Sequence, residues 1–177
     1  MPNPMSATFP TETALDHLVY ATPDLKRSVH ELAQKLGIEP SEGGRHVGRG
    51  TMNYLLGLGG GTYLELIGSD PDQRDFTGTR PFGLDSLSEP RLVSWAVQVN
   101  DIETFVRRLQ GEGYDPGPIS EMSRQTPEGQ TLQWKLTCTQ GALPTLVPFL
   151  IDWGGNTSSL SKPCTRSEAR GFSCGNR

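Results

Sequence analysis

Apolar and polar residues follow the same order twice along this chain. Residues 15–25 align without gaps onto residues 92–102, and each segment is a short apolar run of strand-forming residues that leads into a helix start signal. Apolar positions then recur at helical spacing in both copies. They are Leu25, Val29, Leu32, Ala33 and Leu36 in the first copy, and Ile102, Phe105, Val106 and Leu109 in the second. This internal repeat predicts a helix after each of two equivalent strands.

Capping residues indicate where these two helices begin and end. In the first copy, Thr22 is the expected N-cap and Gly37 the expected stop. In the second copy, Asn100 is the expected N-cap, with Glu103 at the spacing of a capping box, and Gly111 ends the helix. The two predicted helices therefore match in type, length and place.

Three further strands are expected after each helix. They span residues 43–49, 52–58, 62–67, 118–124, 130–139 and 146–153. A run of three glycines, residues 59–61, supplies a hairpin turn in the first half. The chain is therefore predicted to be an α+β protein of two βαβββ modules, whose curled mixed sheet surrounds a cavity and carries the helices on its outer face.

The repeat also divides the chain. The predicted parts are a flexible N-terminus (1–13), a first module (14–68), a connecting segment (69–91), a second module (92–154) and a polar, disordered tail (155–177). Within the connection, Phe82 and Leu84 are expected to dock on the modules. Whether the modules close one cavity within the chain or across a homodimer is left open.

Composition narrows the classes of partner. A formal charge of −4 gives no reason to expect nucleic acid or an anionic membrane. No apolar run approaches the roughly 18 residues of a membrane span, and the N-terminus lacks the pattern of a secretory signal. The cysteines, Cys138, Cys164 and Cys174, are odd in number and form no disulfide framework. A cytoplasmic protein with a small-molecule ligand is expected.

Four short motifs carry a resemblance to a known family. They are residues 16–20 (DHLVY), His46 followed by residues 50–53 (GTMN), residues 63–66 (YLEL) and residues 148–153 (PFLIDW). Their order and spacing within the duplicated pattern resemble the vicinal oxygen chelate superfamily. More narrowly, they resemble its glyoxalase-like domain family, of the glyoxalase, bleomycin resistance and extradiol dioxygenase type. The resemblance covers about residues 14–154.

The resemblance implies a metal site with ligands from the first and fourth strands of each module. His17 and Glu65 match these positions in the first module, and Asp152 aligns with Glu65 in the second. Ser94 stands where a second ligating histidine or glutamate would be. Such a donor set suits Zn, Fe, Mn or Ni and does not select among them. With fewer ligands, the cavity would hold no cofactor.

The residues themselves also single out Glu65 and His17. A carboxylate between Leu64 and Leu66 is costly to bury unless it is paired or bound. His17 lies in an apolar strand, and a histidine and a carboxylate that converge are typical of functional sites. The alternative is that the two form a structural pair.

Further candidates come from strand parity and from the resemblance. Glu65 and His46 are the expected catalytic residues, with an exposed loop histidine as the alternative for His46. The expected substrate-binding residues are Thr51, Asn53, Ser94, Gln98 and Lys135. For Asn53 a strand-edge role stays open, and for Lys135 a surface role does.

Three functions remain open at this point. The first is a metal-dependent lyase, isomerase or dioxygenase that acts on a small oxygen-rich molecule, with the metal as Lewis acid and Glu65 or His46 moving a proton. The second is a metal-free protein of the binding or resistance type. The third is a truncated, non-catalytic member of the family.

Overall fold

Eight strands and two helices appear in the order expected from the repeat. The structure is a computed structural model that describes residues 13–138 and 147–155. Its elements are β1 (Ala14–Ala21), α1 (Leu25–Leu36), β2 (Ser41–His46), β3 (Thr51–Gly59), β4 (Thr62–Ser69), a 3₁₀ segment (Pro81–Ser86), β5 (Arg91–Gln98), α2 (Ile102–Gly111), β6 (Ile119–Gln125), β7 (Thr131–Thr137) and β8 (Phe149–Asp152). The predicted βαβββ order is confirmed in both halves. Predictions for residues 1–12, 139–146 and 156–177, Cys164 and Cys174 among them, lie outside the described residues.

The strands form one closed barrel in the order β1-β4-β3-β2-β6-β7-β8-β5. Within each half, the first strand pairs in parallel with the fourth, and the halves join where β1 runs antiparallel to β5. On the opposite side a single residue pair, Arg45 with Gln125, connects β2 to β6. One chain therefore encloses the cavity by itself, with a strong seam on one side and a thin seam on the other.

The helices cover the outside of the barrel, as predicted. Alternation along β1 sends Val19 into the barrel core and Tyr20 outward against the cluster that includes α1 residues Leu25 and Val29. Helix α2 packs in the same way through Ile102 and its apolar neighbours. Neither helix, within the described part of the chain, has the length and apolar character to cross a membrane.

The first helix begins two residues later than its sequence signal suggested. Asp24, not Thr22, is the N-cap of α1, and its carboxylate accepts a hydrogen bond from the Arg27 backbone N–H at 3.1 Å. Thr22 is buried, and its hydroxyl instead forms a hydrogen bond of 2.7 Å with Ser28 Oγ. The predicted end is confirmed, because Gly37 adopts the left-handed conformation that favours glycine.

The N-cap of the second helix also lies later in the sequence than predicted. Asp101, not Asn100, caps α2 and accepts from the Thr104 backbone N–H at 3.2 Å. In both helices a carboxylate takes the capping position, where it also interacts favourably with the positive end of the helix dipole. Gly111 is the last residue of α2, with Glu112 as its C-cap.

The connecting segment docks on the barrel as predicted. Leu84 is buried in the barrel core, and the Phe82 ring lies 6.5 Å from the Phe149 ring, centroid to centroid. The 3₁₀ segment that carries both residues therefore forms part of the cavity wall.

Candidate functional site

The barrel encloses a cavity of about 930 Å³, which is large enough for a small organic ligand. Much of its wall is apolar and aromatic, with Trp134, Phe149 and Trp153 from the second module. Most of its polar side chains come from the first module. They are His17, His46, Arg49, Thr51, Asn53, Tyr63 and Glu65. The sequence-predicted candidates of the first module therefore share one cavity.

Glu65 is the central carboxylate of this wall. It is buried, and Asn53 Nδ2 donates a hydrogen bond of 2.6 Å to its Oε1 atom. The pairing of β3 with β4 brings the two residues together, since Asn53 lies opposite Ile67 and Leu55 opposite Glu65. This hydrogen bond offsets part of the free-energy cost of burying the carboxylate.

His17 is held from behind by an aspartate. His17 Nδ1 lies 2.5 Å from Asp16 Oδ1, and Trp153 Nε1 donates to Asp16 Oδ2 at 2.9 Å. Because a carboxylate accepts, Nδ1 is the donor to Asp16, and in the neutral imidazole Nε2 is then the acceptor that faces the cavity. His17 Nε2 lies 3.7 Å from Glu65 Oε2. Tyr63 stacks on the imidazole at a centroid distance of 4.8 Å.

A bulge in β1 explains how consecutive residues reach each other. Adjacent side chains of a regular strand point to opposite faces, so Asp16 should point away from His17. In the pairing with β5, however, Leu15 lies opposite Val97 and His17 opposite Ala96, which leaves Asp16 as an extra residue. Asp16 was not predicted as a site residue, because bulges have no strong local sequence signal.

Tyr63 closes this group. Burial, reinforced by the charges of Asp16 and Glu65, raises the pKa of the Tyr63 hydroxyl well above its usual value. The hydroxyl therefore keeps its proton. Asp16 is thus shared between His17 and Trp153, and its charge also acts on Tyr63.

His46 lies on the other side of Glu65. Its Nδ1 atom is 3.0 Å from Thr51 Oγ1, and its Nε2 atom is 4.0 Å from Glu65 Oε1. Burial lowers the pKa of His46; Glu65 opposes this shift, while Arg124 and Arg49 reinforce it. A neutral His46 results at neutral pH.

The low pKa of His46 predicts that the protein loses stability in mild acid. Below a pH of about 6.5, the unfolded chain binds a proton at His46 more readily than the folded chain does. The free energy of unfolding therefore decreases as the pH is lowered. The slope contributed by one group reaches about 1.4 kcal/mol per pH unit. Urea unfolding between pH 5 and 8 should give a flatter profile for His46→Gln than for the wild type. The exposed His30 provides the control, and His30→Gln should follow the wild type. Parallel profiles for His46→Gln and the wild type would contradict the prediction.

Arg124 is a cavity residue that the sequence analysis did not select. It extends from β6 into the barrel beside Met122, two residues earlier on the same strand face. Its side chain is buried, and its Nη1 atom has no hydrogen-bond partner among the described residues. Desolvation lowers the pKa of the guanidinium. A signal was present, because Met122 and Arg124 alternate with the polar Glu121, Ser123 and Gln125.

Two of the expected substrate-binding residues do not reach the cavity wall. Ser94 does line the cavity from β5, but Gln98, four residues later, lies opposite Ala14 near the end of the strand and does not. Lys135 lies outside, where its ammonium donates to the Glu103 carboxylate. Lys135 therefore lies at the surface, which was the alternative to a substrate-binding role.

Asp152 does not join His17 and Glu65, contrary to the alignment that placed it there. Its Oδ2 atom accepts from the Ile102 backbone N–H at 3.1 Å, at the start of α2. The strand register shows why: Val19 lies opposite Glu65, and Ala96, its counterpart in the repeat, lies opposite Phe149. Phe149 therefore occupies the place equivalent to Glu65.

Comparison with known proteins agrees with this architecture. The glyoxalase-like domain family matches residues 15–172. The chain belongs to this family. With it, the chain belongs to the vicinal oxygen chelate superfamily. No curated protein sequence matches this glyoxalase-like domain significantly.

Solved structures share the fold of this glyoxalase-like domain. A hypothetical protein from Staphylococcus aureus is 22% identical with a TM-score of 0.61; the match covers 82% of this chain and 61% of that one. Methylmalonyl-CoA epimerase from Mycobacterium tuberculosis is 18% identical with a TM-score of 0.53, over 78% and 86% of the two chains. A complex of Streptomyces coelicolor methylmalonyl-CoA epimerase with 2-nitronate-propionyl-CoA is 17% identical with a TM-score of 0.52, over 80% and 98%. The glyoxalase-like domain thus spans 61% of the length of the Staphylococcus aureus protein.

The side chains of this glyoxalase-like domain do not fit the metal site of the superfamily pattern. Ser94 and Phe149 stand at the two second-module ligand positions, and neither suits Zn, Fe, Mn or Ni. Among residues 13–138 and 147–155, no group of three or more His, Cys, Asp or Glu side chains could hold a metal ion. The expected ligand set of His17, Glu65 and Asp152 is therefore reduced to its first two members.

Proposed function

We propose that this glyoxalase-like domain is an enzyme of the isomerase or lyase type that moves a proton on a small, oxygen-rich molecule held in the barrel. One observation carries the proposal. His17 Nε2 and Glu65 Oε2, both buried, face each other at 3.7 Å in an apolar cavity, too far apart for a hydrogen bond. Because these two proton acceptors do not hydrogen-bond each other, both are available to accept a proton from a bound ligand.

The surrounding side chains assign roles to this pair. His17 Nε2 takes the proton from the substrate, and the electron pair of the broken bond moves onto a neighbouring substrate oxygen. Asp16 stabilises the imidazolium that forms and keeps the ring oriented, as the carboxylate does in a histidine–aspartate pair. Glu65, oriented by Asn53, accepts a hydrogen bond from the protonated His17 or passes the proton on. Exclusion of water by the barrel strengthens each of these interactions.

The fold relatives offer an analogy for this chemistry. Two of the similar structures are, by name, methylmalonyl-CoA epimerases. At identities below one fifth the likeness concerns the fold, and function depends on the site, so the proposal rests on His17 and Glu65 and not on these names.

Hydrogen–deuterium exchange tests the proposal directly. The wild-type protein is incubated in D₂O with a panel of small hydroxy- and oxo-carbonyl compounds, and NMR follows the loss of C–H signals. The proposal expects catalysed exchange in at least one compound that binds. Binding without any exchange across the panel would overturn it.

The metal-free binding protein remains the second candidate, and the wall of the cavity favours it. The rings of Trp134 and Trp153 lie 5.1 Å apart, centroid to centroid, and form an aromatic surface on which a flat ligand can stack. In the exchange experiment, binding that quenches tryptophan fluorescence without exchange is the result expected of this candidate.

A low metal content is a further prediction of the proposed function. Protein purified without an affinity tag should hold well under one equivalent of metal, also after incubation with Zn, Fe(II), Mn or Ni and desalting. The physical reason is that Ser94, Phe149 and the distant Asp152 leave the described cavity without a complete ligand set. Elemental analysis of the wild type, His17→Ala and Glu65→Ala provides the measurement. Stoichiometric metal that both variants lose would replace the proposal with the metal-dependent enzyme.

A further inference from the structure

The guanidinium of Arg124 is a buried charge that the proposed proton transfer does not use. The residue is 4% exposed, and Nη1 has no hydrogen-bond partner among the described residues. Glu65 exerts an electrostatic effect on Arg124 but forms no ion pair with it; among the described residues, the basic side chains within 4 Å of the Glu65 carboxylate are His17 and His46. Burial of a guanidinium without a carboxylate against it is costly, and this cost is offset when a ligand anion occupies the site.

A second buried atom without a partner lies beside Arg124. Asn53 donates through Nδ2 to Glu65, which leaves Asn53 Oδ1 as an acceptor without a partner in the described residues. Both atoms lie against Gly43: a Cβ there would be 2.3 Å from Asn53 Oδ1 and 2.7 Å from Arg124 Nη1. The absence of a side chain at Gly43 therefore gives these two groups the space in which they meet.

The charges along the cavity wall also favour an anionic ligand. The described lining contains three arginines, namely Arg49, Arg91 and Arg124, against a single carboxylate, Glu65. Arg49 and Arg91 are exposed and mark the mouth of the cavity, whereas Arg124 lies inside. Apart from its histidines, the lining carries a net positive charge from these arginines and Glu65, although the whole chain carries −4. Such a field attracts an anion to the mouth and holds it at Arg124.

We propose that the cavity binds a carboxylic acid with a hydroxyl group next to its carboxylate. The carboxylate pairs with Arg124, and the hydroxyl donates to Asn53 Oδ1. A single planar guanidinium matches a carboxylate, and a ligand hydroxyl is a donor that matches the neighbouring acceptor. Because Asn53 also binds Glu65, this placement brings the substituted carbon of the ligand towards the Glu65–His17 pair. The inference deepens the proposed function, since it names the substrate class of the same site.

Three matched probes separate the parts of this proposal. Mandelate has the carboxylate and the hydroxyl, mandelamide lacks the charge, and phenylacetate lacks the hydroxyl; all three carry a ring that suits the aromatic wall. Calorimetry at constant ionic strength should give the lowest Kd for mandelate. The Kd of mandelamide should be about 10-fold to 100-fold higher, in line with the strength of a charge-assisted hydrogen bond. Equal affinity for mandelate and mandelamide, or no binding of mandelate at millimolar concentration, would overturn the proposal.

Variants of Arg124 provide the second test. Arg124→Gln should raise the Kd for mandelate about 10-fold to 100-fold and should remove the discrimination against mandelamide. Arg124→Lys, which keeps the charge but not the planar fork, should lie between. Arg91→Gln, at the mouth, is the matched control and should change the Kd less, with an effect that disappears at high salt. Unchanged mandelate affinity in Arg124→Gln would overturn the proposal.

Thermal unfolding distinguishes a binding arginine from a structural one. Without ligand, Arg124→Met should unfold at the same temperature as the wild type or higher, because a buried unpaired charge is removed. Mandelate at 100 times its Kd should raise the midpoint of the wild type by about 5 to 10 °C and leave that of Arg124→Met unchanged. A large drop in the midpoint of ligand-free Arg124→Met, with the response to mandelate preserved, would show a structural role and refute the proposal.

Different experimental results would reject the carboxylate site and the proposed enzyme. His17→Asn should still bind mandelate, since Arg124 and Asn53 remain. Mandelate binding, with no deuterium exchange in any compound of the panel, would therefore reject the enzyme and keep the carboxylate site. Exchange in compounds without a carboxylate would keep the enzyme and reject the site. Tighter binding of benzylphosphonate than of mandelate through Arg124 would reject the carboxylate in favour of a phosphate-like group.

Discussion

Replacement of His17 by asparagine is expected to lower the rate of catalysed proton exchange by about 100-fold to 10,000-fold, the range attributed to general acid–base catalysis. Asparagine keeps a polar side chain of similar size but offers no nitrogen that can take a proton. The Kd of a carboxylate ligand should change only a few-fold, because binding depends on other groups. The measurement is the exchange rate at saturating ligand, followed by NMR in D₂O.

Two further variants make this result interpretable. His30→Asn alters an exposed histidine on α1 that hydrogen-bonds Gln34, and it should exchange at the wild-type rate. Asp16→Asn leaves the imidazole in place but removes the carboxylate at Nδ1, so it should lose a substantial part of the rate while His17 is intact. Wild-type exchange in His17→Asn would reject the assignment of His17.

Replacement of Gly44 by alanine is expected to destabilise the barrel by about 3 to 5 kcal/mol, among the larger losses that a single substitution produces. Gly44 has φ of +134°, and a Cβ there would lie 1.9 Å from the Gln125 backbone oxygen. Two costs therefore add, the strained backbone conformation and a collision with a backbone atom that cannot rotate away. The collision falls on the seam between β2 and β6, where one residue pair, Arg45 with Gln125, joins the strands.

A matched glycine separates these two costs. Gly48 also has a positive φ, +72°, but a Cβ there would meet nothing within 4 Å. Gly48→Ala should therefore cost only the conformational strain, about 1 to 2 kcal/mol. Thermal or urea unfolding of both variants provides the comparison, with a difference in midpoint of several degrees expected. Equal losses in the two variants would show that the seam tolerates the extra carbon.

Much of the candidate site could be predicted from local sequence. Glu65 between two leucines and His17 in an apolar strand stand out because a buried polar group needs a partner or a ligand. Thr51 and Asn53 followed from strand parity, and the cavity brings all four together. Asp16, Trp153 and Arg124 were not predicted as site residues, because their places in the site depend on other strands.

The repeat of apolar and polar positions determined by itself the βαβββ order, the outer helices and the cavity-facing side of β1, because these depend on periods of 3.6 and 2 residues within a segment. Strand register is different, since it results from pairing between distant segments, and a shift of a few residues changes which side chain meets which. Only the tertiary structure placed Phe149 opposite Ala96 and directed Asp152 to helix α2. The bulge that turns Asp16 towards His17 likewise exists only in the pairing of β1 with β5. Arg124 became a buried charge only when the two halves closed around it, because burial is a property of the assembled barrel and not of a strand.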